Sequence, residues 1–496
     1  MSLDPLVILR ALGTRSHTWM SHIGKFKCWQ LHFYLLSWSF CLWLILFSIS
    51  ELHSLFVSAL SVLCLQKSPV LCIGEEQPKN WFTELQVLKG HFDIVRFLVQ
   101  IDDFRCASAG DDGLVLVWNV ETGEKLQELR GHSQQITAIT TFTCDNGHTS
   151  LLTASSDRSL SLWDPDTGNR VQTISDLQSS VKGLLVLDRL SVWLSGGEDL
   201  CVWNKDFQLQ CHKQNHSDTG ITAMIELPKN CIAAAMDKVI VIYRLSVSGS
   251  EMSLAEIRCL SDHQDHIRAL INVNNLMFAS GSHVGELILW DAISWNILVY
   301  EHILWEESQT CTPAEIRMGA PKPSEMSIQH LSTNGKFILA AVGSGLYLYS
   351  VQTKSVLAYK KIAHDSNILH SVLLSDSELM SCSEDGSVRM WEIQDLPLPA
   401  EPTSAGFFGM WSFGRSNRQA GPPSKKLVDV PNIRMLELTG DLIGHSGAVQ
   451  MFVSYGEKGL VTCSTDHLLI LWKNGERQSH LRSLALFHKL EKNGGL

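Results

Sequence analysis

The chain has 496 residues and a formal net charge of −11, with 45% hydrophobic and 18% charged residues. That acidic balance argues against a nucleic-acid binder held by phosphate contacts. Its thirteen cysteines form no Cys-x-x-Cys pair, which excludes ordinary zinc-ligand spacing and reads as free thiols in a reducing compartment.

Residues 1–73 stand apart from everything that follows. Leu31–Ile49 is an apolar run of 19 residues, preceded by Lys25 and Lys27. Its length and flanking charge suit a transmembrane or signal-anchor segment. The alternative is an N-terminal extension foreign to the mature product. A membrane anchor would carry the remaining chain into a lumen, where Asn215-His216-Ser217 is a glycosylation sequon. The free-thiol pattern points to the cytoplasm instead.

Trp81–Leu88 alternates polar and apolar residues and predicts a strand with no repeat unit of its own. Phe82, Leu85 and Val87 are its apolar side chains. From there a period takes over. His91 precedes Trp118 by 27 positions, His263 precedes Trp290 by 27, His364 precedes Trp391 by 27 and His445 precedes Trp472 by 27. His216 stands 27 before Tyr243, and His132 stands 31 before Trp163, with extra residues around Cys144–Thr149. Asp112, Asp157, Asp385 and Asp466 each lie six before the tryptophan, in turns such as Glu384-Asp385-Gly386 that favour hairpins. Two further units are degenerate: one ends at Trp203 without a histidine in register, and one spans Gly335–Tyr349 with neither histidine nor aspartate. The aromatic ends at 118, 163, 203, 243, 290, 349, 391 and 472 are spaced 40–47 apart, apart from gaps of 59 and 81 that imply insertions.

These units resemble the WD-repeat (WD40) family, with Gly90-His91, Gly131-His132, Gly444-His445, Trp163-Asp164 and Trp290-Asp291 as its literal dipeptides. The resemblance implies an all-β, closed β-propeller over residues 74–476. Eight blades are expected, or seven if 335–349 is only an excursion. The last unit lacks an outer strand, so the N-terminal strand is expected to pair into it and close the ring. The histidines, aspartates and tryptophans are expected to form a structural hydrogen-bonded network, because imidazole both donates and accepts, carboxylate accepts and indole donates. Recurrence in five or six units, with no nucleophile elbow, argues against catalytic triads. No cofactor or metal site is expected.

Two insertions break the period. Trp305–Glu325 reads as a surface loop. Residues 394–434 are rich in proline, glycine and serine, yet enclose Phe407, Phe408, Met410, Trp411 and Phe413. That aromatic cluster either folds back on the flank or serves as a linear motif for a partner's pocket. The terminal stretch 477–496 places Leu481, Leu484 and Leu490 at helical spacing and predicts a short amphipathic helix. It lies beside the N-terminal strand if the ring closes, making one composite partner surface, or else docks on its own blade.

A narrower resemblance, to one particular family of WD-repeat subunits, rests on Asp93–Gln100, Ser195–Asn204, His283–Ile288, Ile470–Arg477 and the Phe-Phe-x-Met-Trp stretch at 407–411. It implies a non-catalytic subunit that binds a heterodimer of DENN-module proteins acting on Rab/Arf-type GTPases in autophagy. It further implies indirect recruitment from the cytoplasm to the lysosomal membrane, through a cationic amino acid transporter and the 400–425 loop. The alternative function is substrate receptor of a ubiquitin ligase, although Trp163-Asp-Pro-Asp, Trp290-Asp-Ala-Ile and Trp391-Glu-Ile-Gln all lack the arginine such receptors often carry.

Overall fold

In the computed structural model each period becomes one antiparallel sheet. The structure describes residues 82–143, 147–214, 219–249, 251–303, 326–395 and 433–492, all within the unit Pro78–Leu496. Eight four-stranded sheets form an eight-bladed propeller, so the Gly335–Tyr349 unit is a full blade. Residues 1–73, His216, Asn215, the 304–325 stretch and the 396–432 stretch lie outside the described residues. Among the described residues no helix is long and apolar enough to cross a membrane.

The third strand of each blade carries the terminal aromatic of the period. These strands are Val115–Asn119, Leu160–Trp163, Asp199–Asn204, Val239–Ser248, Glu286–Asp291, Gly345–Ser350, Ser387–Gln394 and Leu469–Lys473. Their central residues are mostly buried, because the sheets of a ring cover one another on both faces. The same constraint explains runs without polar alternation, such as Val-Leu-Val-Trp and Cys-Ile-Ala-Ala-Ala-Met. Outer strands face water and alternate or become polar, as in the fully exposed Arg170–Thr173. Core clusters span neighbouring blades; one joins Leu98 and Trp118 of blade 1 to Val461 and Leu471 of blade 8.

The second hairpin of a blade also touches the next blade. Gly386 adopts φ 84°, and a Cβ there would fall 3.2 Å from the carbonyl oxygen of His445. The left-handed turn therefore suits glycine twice over, by conformation and by space. The ring closes where β1 (Glu84–Leu88) pairs antiparallel with Leu469–Lys473, from Glu84↔Lys473 to Leu88↔Leu469. β1 is thus the fourth strand of blade 8, as the missing outer strand requires. A helix, α1 (Gly475–Lys492), follows directly; its start lies two residues before the expected boundary at 477.

The inner strands of blades 6, 7 and 8 enclose an unusual polar pair. The His330 and His370 rings lie 4.4 Å apart, and Phe452 meets His370 edge-on at 4.7 Å. His370 Nδ1 has no hydrogen-bond partner among the described residues. Burial pushes His330 down to about 4 and lowers His370 further from its ordinary value, with His330 adding to the effect. Both imidazoles are neutral in the folded chain and protonate near pH 6.5 once unfolded. The unfolded state then binds more protons, so stability falls as pH drops from about 6.5 toward about 4. We expect the replacement His330→Gln to flatten that acid slope by about 1.4 kcal/mol per pH unit. Denaturant midpoints measured from pH 7 to 4.5 check this; an unchanged slope counts against it.

Candidate interaction surface

The repeat residues meet under the blades as hydrogen-bonded sets. In blade 1, His91 Nδ1 lies 2.8 Å from Asp112 Oδ2, its Nε2 lies 2.8 Å from Ser108 Oγ, and Trp118 Nε1 donates to that hydroxyl at 2.9 Å. Blade 7 repeats this with His364, Asp385, Ser381 and Trp391 at 3.0, 2.8 and 2.9 Å. Blades 2 and 8 use threonine: His132, Asp157, Thr153 and Trp163 in one, His445, Asp466, Thr462 and Trp472 in the other. One assignment satisfies all of these groups. Nδ1–H donates to the carboxylate, Nε2 accepts from the hydroxyl, and the hydroxyl accepts from the indole.

Electrostatics supports that assignment. Burial lowers His132 and His445 from their ordinary values, and the facing aspartates only partly offset it. Burial acts to raise Asp157, Asp385 and Asp466, but hydrogen bonds outweigh it and hold all three below the usual carboxylate range. The product is a neutral imidazole against a carboxylate, with each hydroxyl buried and occupied. That arrangement holds turn to strand and offers no nucleophile to a substrate.

Blade 5 shows a residue that spacing alone misses. Position 284 is valine, and the carboxylate comes from Glu286 on the strand itself. Glu286 Oε2 lies 3.1 Å from His263 Nδ1, and Tyr300 Oη donates to Oε1 at 2.6 Å. The signal was a glutamate in an otherwise apolar strand, four positions before the tryptophan.

The degenerate blades lack parts of the set. In blade 3, Trp203 Nε1 still donates to Ser195 Oγ at 2.8 Å. The hairpin pairs Gly196 with Leu200, two residues tighter than Ala109 with Val115 in blade 1, so no turn aspartate fits. Leu177 stands four before the buried Val181, which precedes the first strand, where His91 stands four before the buried Val95. A cavity of about 230 Å³ lies beside Ser195 and Trp203, and Trp193 stacks on Trp203 at 5.4 Å. In blade 6, Tyr349 Oη is buried without a partner among the described residues.

A different kind of surface forms where the two chain ends meet. Leu85 and Val87 are 50% and 41% exposed on the free face of the outermost strand of blade 8. Helix α1 leaves beside it. The Gly475 N–H donates to Thr83 Oγ1 at 3.1 Å, where a Cβ would fall 2.4 Å from that oxygen. Arg482 pairs with Glu84 at 3.0 Å. On the helix, Leu481, Leu484 and Leu486 are 45%, 47% and 59% exposed. Leu85 and Val87 lie on β1 and Leu481 and Leu484 on α1, two elements tied by Thr83 to Gly475 and by Glu84 to Arg482; Phe82 is half-buried just before β1. Apolar side chains of the helix are thus left in water beside an open strand edge. The Leu490 side chain and the segment holding Phe407, Phe408, Met410, Trp411 and Phe413 lie outside the described residues.

Known proteins place this arrangement. The profile of the WDR41 β-propeller family matches residues 55–482. Human WD repeat-containing protein 41 is 56% identical over 87% of this chain and 96% of its own length, and the mouse protein is 51% identical over 87% and 95%. Among solved structures, the computationally designed Ika8 protein superposes with a TM-score of 0.57 at 18% identity, covering 78% of this chain and 98% of that one. That likeness concerns the fold.

The network's structural role has a direct consequence. Replacing His364 by alanine strands Asp385 and Ser381 under blade 7, and we expect a loss of about 2–4 kcal/mol in unfolding free energy. Chemical denaturation of the two proteins side by side checks it. A loss below about 0.5 kcal/mol would contradict the network role.

Proposed function

This chain belongs to the WDR41 β-propeller family, and from that premise we propose that it is the scaffold and recruiting subunit of a DENN-module protein complex. The coarse part of the reading is general to WD-repeat propellers, which typically serve as non-catalytic scaffolds for protein interaction. The observation that carries the finer part is the composite surface at the chain ends. Helix α1, bearing the exposed Leu481, Leu484 and Leu486, is tied by Arg482 to Glu84 of β1, the strand bearing the exposed Leu85 and Val87. Such a pair fits a partner that adds a strand to β1 or buries the helix in an apolar groove.

In this proposal a heterodimer of DENN-module proteins, acting on small Rab/Arf-type GTPases in autophagy, seats on that surface. The 400–425 loop then carries the assembly from the cytoplasm to the lysosomal membrane through a cationic amino acid transporter. The aromatic cluster Phe407–Phe413 supports this, because aromatic and methionine anchors dominate interface energetics. Membrane association is indirect. The rigid ring separates the two tasks, since the loop roots in blade 7 and the composite surface in blade 8.

Two outcomes are expected. The double substitution Leu481→Glu and Leu484→Glu alters side chains already half in water, so the ring's unfolding free energy shifts by less than about 1 kcal/mol. Affinity for the DENN heterodimer falls at least about tenfold, read by titration calorimetry; retained affinity would move the interface elsewhere. Deleting 400–425 leaves DENN binding intact and abolishes lysosomal recruitment, scored by co-purification and by imaging in the same cells.

A further inference from the structure

A cavity of about 610 Å³ opens between blades 7 and 8. Its walls are apolar: Leu374, Leu379, Met380, Met390, Trp391 and the half-buried Phe82. Its rim is acidic, with Glu378, Glu457 and Glu476 exposed against a single Arg477. None of the three glutamates has an ion-pair partner among the described residues. Apolar walls and unpaired like charges at the mouth describe a receptor for an apolar segment flanked by positive charge.

The fold puts one such segment at the mouth. In an antiparallel blade the turn after the first strand and the turn after the third strand emerge on the same face. The cavity contains the first kind of turn from both blades, at Leu374–Glu378 and Ser454–Glu457. The 396–432 segment takes the place of the second kind in blade 7. It leaves after Gln394, three residues from the cavity-lining Trp391, and returns at Ile433. Asp395 and Arg434 pair at 2.9 Å and hold both roots together at that edge. From Asp395 to Phe407 the chain has about a dozen residues, enough to reach roughly 40 Å. The cavity therefore lies well within reach. The segment bears Phe407, Phe408, Met410, Trp411 and Phe413, followed by Arg415 and Arg418, matching apolar walls and acidic rim in order.

We infer that the Phe407–Phe413 segment docks in cis into the cavity between blades 7 and 8, with Arg415 and Arg418 against its acidic rim. Tethering at both ends sets an effective concentration in the millimolar range, so even a weak intrinsic affinity fills the site. The docked segment is withheld from any other partner until that contact opens. Phe82, just before β1, belongs to the cavity wall. The inference does not depend on which partner the segment serves.

The test uses a fluorescent synthetic peptide spanning residues 404–418, titrated by anisotropy into the full chain and into the chain lacking 400–425. The deletion variant is expected to bind the peptide, and the full chain at least about tenfold more weakly, because its own segment competes. Leu374→Glu in the deletion background is expected to weaken the peptide at least about tenfold while leaving the thermal midpoint unchanged, since Leu374 is 43% exposed. Glu378→Lys with Glu457→Lys tests the rim in the same way. Equal binding to both chains, or binding to neither, overturns the inference. So does a full chain that dimerises with concentration while the deletion variant stays monomeric, because the segment would then dock in a second copy.

Discussion

The structure depends on one suture. A ring of blades built from a linear chain must join segments that are almost four hundred positions apart, and it does so through β1. Five residue pairs bind Glu84–Leu88 to Leu469–Lys473. Around them run side-chain bonds between blades 8 and 1. Tyr455 Oη donates to the Arg105 carbonyl at 2.9 Å, Lys458 Nζ to the Asp103 carbonyl at 3.1 Å, and Lys473 Nζ to the Glu121 carbonyl at 2.7 Å. Closure of this kind removes a free sheet edge inside the ring and couples every blade to both neighbours. It also fixes where the helix must leave the ring.

Within that ring the polar sets do local work that apolar packing alone leaves undone. Period-two alternation fixes which face a strand buries, but a slip of two residues keeps that face. A buried indole, hydroxyl, imidazole and carboxylate find all their partners only in one register, and each orphaned group carries a desolvation penalty. Blades 1, 2, 5, 7 and 8 hold the full set. Blades 3, 4 and 6 lack parts of it, blade 4 carrying Ala234 and Tyr243 where blade 1 has Ser108 and Trp118. Blade 3 compensates with stacked Trp193 and Trp203 and with Phe207, 4.8 Å from Trp193. A closed ring tolerates such blades because each one's apolar faces are covered by two others.

Function in such a scaffold falls to what the ring does not absorb. The repeated polar sets of blades 1, 2, 5, 7 and 8 are buried and self-satisfied. The open chemistry lies at its margins: the apolar face of α1, the outer side of β1, and the cavity where blades 7 and 8 part. All three lie near the suture, because that is where the repeat is interrupted by chain ends and by the insertion of blade 7. Repeats repeat their packing, and departures from the repeat create distinct surfaces.

The sequence by itself determined the closed propeller and most of the network, while the choice between eight blades and seven fell to the sheet containing Gly345–Ser350. A histidine-to-tryptophan spacing of 27 with an aspartate six positions before the end is a local pattern, and each blade is a local hairpin structure. Closure was legible for the same reason, since the last unit visibly lacked a strand. The carboxylate of blade 5 was not, because Glu286 reaches His263 from an atypical position that only folded geometry admits. Nor were the histidine pair between blades 6 and 7, the exposure of Leu481 and Leu484 on α1, or the cavity beside Trp391. Each depends on residues from different blades meeting in space, and linear order does not set those distances. The tertiary structure decided them because a ring brings first and last strands together and leaves gaps only where neighbouring sheets diverge.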